Sequence, residues 1–266
     1  MKTSRLKSIV IVILALLNAF LLVLLVSRRT QEHSAQERRV QQLIQLYASN
    51  GVSLPAALIP DNTRLAPVDP ARDLDAEASF AEELLGPCTP MDVGGGIYRY
   101  VNETGQCLLR SSGSAEVALD RGVDDPLLFC NEIGRQFGYE LLSSELEGGS
   151  GSVRIIRRLS EGIVFNALLE FSFSERRLLS VTGSFLPAVD PAVGDGDIDA
   201  VSALVRFLDY SSASGEVCTE ITGVSSGYLL QSTASAAMRL IPAWCINTDA
   251  NQYYVNMMSG EVSRDA

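Results

Sequence analysis

An apolar run dominates the start of the chain and extends from Ile9 to Val26, with Asn18 as its interruption. A helix of this length rises about 27 Å, which matches the hydrocarbon core of a bilayer. Basic residues flank both ends and no Ala-x-Ala-like site follows, so the pattern favours an uncleaved signal anchor over a cleaved signal peptide. We predict a single-pass transmembrane helix with a short cytoplasmic N-terminus, and we place everything after Thr30 outside the cytoplasm.

Four later segments carry apolar positions at helical spacing. The first follows the membrane run and predicts a stalk helix that ends at Gly51. The third begins at Asp124-Asp125-Pro126, which is a typical helix start, and Asp195 or Asp197 can cap the fourth. The predicted helices cover residues 31–50, 75–85, 125–137 and 197–210.

Alternating apolar and polar positions predict antiparallel strands through most of the remaining chain. The clearest case is residues 164–173, where every second side chain is apolar. Glycine-containing turns separate several of these segments, which is typical of hairpins. The predicted strands cover residues 97–101, 106–110, 115–119, 139–147, 152–158, 163–173, 177–186, 217–231, 238–248 and 252–262.

Helices followed by antiparallel strands recur along the chain, which predicts an α+β fold. We expect the N-terminal transmembrane helix to precede a tandem of two related domains, each with helices packed on an antiparallel sheet. Residues 1–29 then form the cytoplasmic N-terminus and the anchor. Residues 30–120 form the stalk helix and first domain, and residues 121–266 form the second domain.

The charge of the chain is strongly acidic and unevenly distributed. Five of the 21 basic residues lie in the first 29 positions, so the remainder contains 16 basic residues and all 32 acidic ones. That part therefore carries a net charge of −16. It repels the phosphates of nucleic acid and anionic lipid surfaces. We expect no nucleic-acid partner.

Five cysteines follow the membrane run, and an oxidising compartment would allow two disulfides and one free thiol. Cys218 and Cys245 lie on segments predicted to be strands of one sheet, so they are the first candidate pair. Cys88 and Cys107 are the second. The alternative is equally strong, namely that all five cysteines are small buried apolar residues.

Several kinds of catalytic and metal site are excluded by residue type. The chain has a single histidine, His33, and no lysine after Lys7, which excludes a Ser-His-Asp triad and Schiff-base chemistry. The run Asp195-Gly-Asp197-Ile-Asp199 resembles half of a calcium loop, but Arg206 stands where the twelfth-position glutamate belongs. We predict no catalytic residue, no metal site and no cofactor.

Asn18 is a polar side chain within the predicted membrane helix. An amide in hydrocarbon gains about 0.6–2 kcal/mol from a hydrogen bond to another helix. Ala15 and Ala19 lie beside it and allow close approach of a second backbone. The three residues predict a contact with a partner's transmembrane helix. The alternative is a tolerated asparagine without a partner.

The C-terminal segment contains a hairpin pattern with the single tryptophan. It resembles the closing hairpin of PepSY-like domains, in which a Pro-Ala-Trp strand precedes a Tyr-Tyr-Val strand and a Thr-Gly-Glu-Val-like end. We expect Trp244 and Tyr254 to pack together in the core. The residues that carry this resemblance are Gly227, Tyr228, Pro242, Trp244, Tyr253, Tyr254 and Gly260.

The N-terminal run and the step Gly51-Val-Ser-Leu-Pro55 resemble the YycI/YycH regulators of the WalK–WalR two-component system. The resemblance implies a non-enzymatic membrane protein with extracytoplasmic PepSY-like domains. It also implies binding to a WalK-like sensor histidine kinase through the transmembrane helix, with a YycH-like protein as second partner, in control of the cell wall. One alternative is a PepSY-type protease inhibitor or chaperone-like protein. The other is a membrane-tethered hydrolase with a pair of carboxylates.

Overall fold

The fold is described from a computed structural model, which covers residues 17–18, 20, 35–60, 63, 65–189, 194, 198–232 and 237–264. Of the N-terminal apolar run, the described residues are Leu17, Asn18 and Phe20, which are helical and exposed. The rest of that run lies outside the described residues. Within the ranges described, no helix is both long and apolar enough to cross a membrane.

The chain divides into two compact units, Met1–Ile59 and Pro60–Ala266. In the first unit, helix α1 covers residues 35–49, which confirms a helix within the predicted stalk range. Gly51 follows the helix, and its φ of +78° lies in the region that glycine adopts without strain. A single 3₁₀ turn, Ala56–Leu58, follows.

The described part of the second unit contains three helices: α2 (Leu74–Leu85), α3 (Pro126–Phe137) and α4 (Ala200–Ser214). Each begins after an aspartate whose carboxylate accepts backbone N–H groups of the first turn, and each is followed by glycine. The caps are Asp73, Asp125 and Asp199. The α4 cap is thus the third aspartate of the acidic loop, whereas Asp195 and Asp197 lie outside the described residues.

The described strands of the second unit form a single sheet of twelve. Ten of them match predicted strands, while the first and the short last strand were not separately predicted. The strands are β1 (Thr89–Gly94), β2 (Ile97–Val101), β3 (Gly105–Arg110), β4 (Ser114–Gly122), β5 (Tyr139–Glu147), β6 (Ser150–Leu159), β7 (Gly162–Ser174), β8 (Arg177–Ser184), β9 (Ile221–Gln231), β10 (Arg239–Thr248), β11 (Gln252–Asn256) and β12 (Val262–Ser263).

Eight strands form a continuous antiparallel array in the order β1-β2-β3-β4-β8-β7-β6-β5. The N-terminal end of β7 also pairs in parallel with β9, at Ile163–Gly227 and Val164–Tyr228. From β9 the sheet continues antiparallel through β10, β11 and β12. The parallel contact makes the sheet mixed and joins its two parts.

The predicted fold class, a transmembrane helix followed by tandem PepSY-like domains, is wrong. Strand β4 belongs to the predicted first domain but pairs with β8, for example at Val117–Val181. The hydrophobic core likewise spans both halves, because Phe80 of α2 stacks on Phe185 at a centroid distance of 4.4 Å. Periodicity reports which face a strand buries but not which strand it pairs with. The domain ranges 1–29, 30–120 and 121–266 stay predictions.

The helices cover the sheet unevenly. Helices α2 and α3 pack on one face of the eight-stranded array and enclose the main core. Helix α4 packs on β10, β11 and β12. We call the opposite face of the eight-stranded array, the one that presents Glu116 and Arg154, the outer face. Val117 and Val153, their neighbours in sequence, point into the core instead.

Candidate functional site

Six of the seven residues named for the C-terminal hairpin lie on β9, β10 and β11, and Gly260 lies after β11. Pro242 pairs with Tyr228 across β9 and β10, and Ala243 pairs with Gly227. Tyr228 and Trp244 are fully buried. These residues therefore build the core of the C-terminal part of the sheet and offer no exposed binding site.

The expected packing of Trp244 against Tyr254 is wrong. Trp244 pairs with Val255, so the side chains of Trp244 and Tyr254 emerge from opposite faces of the hairpin. The Trp244 indole N–H donates to the carbonyl of Ile198, 2.9 Å away, on the α4 side. The Tyr254 ring instead packs against Phe165 at a centroid distance of 5.4 Å.

Steric constraints explain why two positions of this motif are glycine. A Cβ on Gly227 would collide with the carbonyl of Ile163 and lie 2.8 Å from the Phe165 ring, so the close β7–β9 crossing requires glycine there. Gly260 has a φ of +73° and lies against the guanidinium of Arg206. Both roles are structural.

All five cysteines have free thiols, so the structure does not form the predicted Cys218–Cys245 disulfide. Cys245 pairs with Ser225, whereas Thr219, the residue after Cys218, is hydrogen-bonded to Asp249. Cys218 therefore lies near Asp249, which is four residues after Cys245 and about 13 Å from it along an extended chain. A disulfide needs Cα atoms within about 7 Å.

Three of the thiols are deeply buried, and this burial raises their pKa values. The pKa rises to about 12 for Cys107 and Cys130 and to about 11 for Cys245. Such thiols stay protonated and unreactive at neutral pH. Their environment agrees with the alternative in which the cysteines serve as small apolar residues.

The predicted membrane contact involves Ala15, Asn18 and Ala19. Ala15 and Ala19 lie outside the described residues, as does His33. Asn18 is helical and exposed. The contact with a partner helix stays a prediction.

The outer face of the sheet is where side chains of the second unit are presented to solvent in a regular array. The strand register aligns one side chain from each of seven adjacent strands in a row across it. From β1 to β6 these are Met91, Arg99, Leu108, Glu116, Thr182, Glu170 and Arg154.

A second row runs beside the first and consists mainly of short side chains. Small side chains keep this part of the face flat, so a partner could approach the first row without obstruction. The row contains Thr89, Val101, Gln106, Ala118, Ser180, Ser172 and Ser152.

Ion pairs neutralise the middle of the outer face. Arg154 of β6 lies 3.3 Å from Glu170 of β7, and Arg110 of β3 lies 2.7 Å from Glu116 of β4. All four side chains are at least one-third exposed, and such pairs contribute about 1 kcal/mol or less. This region is therefore polar and already charge-balanced.

The end of the outer face formed by β1, β2 and β3 differs, because it combines apolar side chains with a cation. Met91 is 51% exposed and Val101 is 38% exposed, while Leu108 is half-buried. Arg99 lies between them, and its Nη2 is 3.4 Å from the sulfur of Met91. Within the described part of the chain, its buried Nε has no hydrogen-bond partner. We call these four residues the Arg99 patch.

The Arg99 patch was missed by sequence reasoning. Met91 belongs to β1, which was not predicted as a strand, so the row that places it beside Arg99 and Leu108 was not visible. Contiguous exposed apolar side chains on a folded protein mark interaction surfaces more often than chance. The patch is the strongest candidate binding surface on the second unit.

No protein-family model matches the chain, and no curated protein is significantly similar to it. An uncharacterized protein from Eubacterium rectale has a solved structure with a TM-score of 0.41 and 9% identity, over 79% of this chain and 87% of that one. The C-terminal domain of YpeB from Bacillus megaterium gives a TM-score of 0.38 and 9% identity, over 74% of this chain and 99% of that one. At these scores the likeness carries no argument about function, and the family resemblance stays a prediction.

Proposed function

We propose that this chain is an extracytoplasmic binding protein without catalytic activity, which docks another protein on the Arg99 patch. The observation that carries the proposal is that exposed Met91 and Val101 lie beside a cation, Arg99, on the outer face of the sheet. Full burial of a Met or Val side chain is worth about 1.5–3 kcal/mol. Even partial burial of these side chains by a partner would therefore contribute to the free energy of binding.

The charge of the patch indicates the chemistry of the partner. The chain after residue 29 has a net charge of −16, yet this patch presents arginine and no carboxylate. A partner segment with apolar side chains around one acidic residue would match it, since opposite charges steer and orient association. A basic partner would be drawn to other parts of this acidic molecule instead.

The specific partner that we propose is a WalK-type sensor histidine kinase, with a YycH-like protein as its companion. This rests on the resemblance of the N-terminal run and of Gly51–Pro55 to YycI. A regulator changes a two-state kinase only through different affinities for the two states, and a tenfold difference corresponds to about 1.4 kcal/mol. Docking to one state of the kinase's extracytoplasmic domain would supply that bias.

The location that we propose is the outer surface of the cell membrane. The apolar run from Ile9 to Val26 is the feature that supports export and retention at the membrane. Protease added to intact protoplasts should then digest the second unit. Protection of the chain until the membrane is broken would contradict this location.

The proposed docking is tested by Met91→Glu, which places a carboxylate within the apolar patch. We expect the affinity of the purified full-length chain for the kinase in nanodiscs to fall about tenfold or more, because a charge would have to be desolvated at the interface. Biolayer interferometry measures the change. The matched control is Met258→Glu, since Met258 is 42% exposed and lies in the turn after β11. Equal affinities for the two variants would refute docking at the patch.

One observation favours a second candidate, a PepSY-type protease inhibitor or chaperone-like protein. Strand β1 is an edge of the sheet and all six of its residues are exposed. An exposed edge can add to a strand of another protein, which is one way of binding extended peptides. Slowing of a purified extracytoplasmic protease by the full-length chain, with no binding to the kinase, would support this candidate.

A further inference from the structure

A buried arginine, Arg157, lies beside a small cavity near the C-terminal end of β6. Arg157 is 4% exposed. The register between β6 and β7 shifts between Ile156 and Arg158, and Arg157 sits at this irregularity opposite Tyr139 of β5. Val153 and Ile155 precede it at alternate positions on the core side. A guanidinium therefore occupies a position where the strand pattern calls for an apolar side chain.

The partners of Arg157 leave most of its donors unused. Nη2 donates to the carbonyl of Pro187 at 2.8 Å, and the guanidinium carbon lies 5.3 Å from the centroid of the Tyr139 ring. The Tyr139 hydroxyl donates to Ser184 and accepts from the Leu186 N–H, so it is already engaged. Among the described residues, nothing accepts a hydrogen bond from Nε or Nη1, and no carboxylate forms an ion pair with Arg157.

An unpaired buried cation is costly. Burial lowers the pKa of Arg157, but a guanidinium starts from so high a value that it keeps its proton. Removing such an ion from water without a counter-charge costs several kcal/mol. The neighbouring Arg158 is different, because it is exposed and paired with Glu140 at 3.2 Å. Of these two arginines, Arg157 is thus the one without a counter-charge among the described residues, and an anion would stabilise it.

The cavity beside Arg157 has about the volume of a small organic anion, 220 Å³. Its walls are mixed, with three apolar side chains beside one hydroxyl and two arginines. Since a water takes up about 30 Å³, the space corresponds to roughly seven waters. The lining residues are Arg157, Arg158, Leu159, Ser160, Ala188 and Val189.

Gly138 packs directly against one side of the guanidinium. It follows α3 with a φ of +74°, and a Cβ there would lie 2.5 Å from Nη1 of Arg157. The backbone is held in place because the N–H of Arg158 donates to the Gly138 carbonyl at 2.9 Å. A side chain at this position would collide with one of the unpaired nitrogens.

We propose that Arg157 and this cavity bind a carboxylate, carried either by a small organic acid or by the C-terminus of a peptide. A planar carboxylate can accept two hydrogen bonds from a guanidinium, and its single charge matches the single unpaired cation. The apolar walls formed by Leu159, Ala188 and Val189 suit a short aliphatic group. A doubly charged phosphate would bring one charge that nothing in this cavity neutralises. The inference is independent of docking at the Arg99 patch.

The test compares Arg157→Met with Arg154→Met in the full-length chain, since Arg154 is an exposed arginine on the outer face of the same strand. Methionine has similar length but no charge, so Arg157→Met should leave the melting temperature unchanged or raise it while removing the carboxylate site. Isothermal titration calorimetry with acetate and with N-acetyl-dialanine should show saturable binding to the wild type. Binding should weaken at least tenfold in Arg157→Met and stay within about twofold in Arg154→Met. A loss of melting temperature in Arg157→Met, with no change in binding, would show a purely structural arginine and overturn the proposal.

Additional titrations distinguish a peptide C-terminus from a small organic acid as the source of the carboxylate. Tighter binding of N-acetyl-dialanine than of acetate, lost when its C-terminus is amidated, would support a peptide end. Equal binding of both would support a small acid. Absence of saturable binding by either probe, or equal binding of phosphate, would overturn the proposal. So would binding that appears only after Asp190→Asn, because the chain's own carboxylate would then be the occupant; Asp190 lies outside the described residues.

Discussion

Two arginines of the second unit, the half-buried Arg72 and the buried Arg157, have opposite surroundings. Arg72 forms two hydrogen bonds with the carboxylate of Glu77, at 2.7 and 2.8 Å, and donates to the carbonyls of Gly96 and Leu109. This network ties the first turns of α2 to the β1–β2 turn and to β3. Arg157 has one carbonyl partner and no ion pair among the described residues. Arg72 therefore has a structural role, whereas two nitrogens of Arg157 have no hydrogen-bond partner among the described residues.

The first prediction at this scale is that Arg72→Met destabilises the protein strongly. Glu77 is 6% exposed, and the substitution leaves its carboxylate buried without a counter-charge. We expect the free energy of unfolding to fall by about 3–5 kcal/mol. Urea denaturation followed by circular dichroism measures it. Arg157→Met is the matched comparison, and equal losses for the two variants would contradict the difference between the two arginines.

Arg157 was not identified from the sequence, although a signal for it was present. The apolar alternation Val153, Ile155 and Leu159 places residue 157 on the buried face of β6, and the residue there is arginine. A charged residue at a position whose neighbours require burial is informative in any strand pattern. Its lack of a partner could not be foreseen, because that depends on Tyr139, Ser184 and Leu186 from other elements.

At the scale of elements, local signals predicted most helices and strands. The start of α3 follows from Asp125 and Pro126, and the alternation of β7 follows from its five apolar side chains on one face. Strand β1 could not be predicted in the same way. All six of its residues are exposed, so it has no buried face and no periodicity. Its position depends on pairing with β2 and not on its own composition.

The second prediction concerns how α2 is held on the sheet. Phe80 is fully buried, stacks on Phe185 and meets Phe137 edge-on at 5.4 Å. Phe80→Ala should lower the free energy of unfolding by about 3–5 kcal/mol through lost burial and a cavity. The control is Leu74→Ala at the start of the same helix, where the side chain is 40% exposed and the expected loss is about 1 kcal/mol or less. Similar losses would show that α2 is not anchored through this aromatic cluster.

At the scale of the whole molecule, strand pairing decided the fold and was not visible in the sequence. The β4–β8 contact joins residues far apart along the chain, as in the 2.6 Å ion pair between Asp120 and Arg177. A strand that closes one domain and a strand in the middle of a larger sheet have the same alternation. The predicted fold class of tandem PepSY-like domains is therefore wrong, while the elements themselves were mostly located correctly.

The distribution of charge is also a property of the whole molecule. The sequence showed that the part beyond residue 29 is acidic, but it could not show where the exceptions to that charge lie. Folding aligns Arg99 with Met91 and Leu108 across β1, β2 and β3. A partner with an acidic and apolar surface would meet a compatible region there and repulsion from many carboxylates elsewhere.

Site-specific photocrosslinking in intact membranes tests the central claim most directly. A photoreactive side chain at Val101, in the Arg99 patch, should crosslink to the sensor kinase, because it replaces an exposed residue of the proposed interface. The same side chain at Met258, which has similar exposure outside the patch, should give no kinase crosslink. Crosslinking from Met258 with none from Val101 would contradict docking on the outer face.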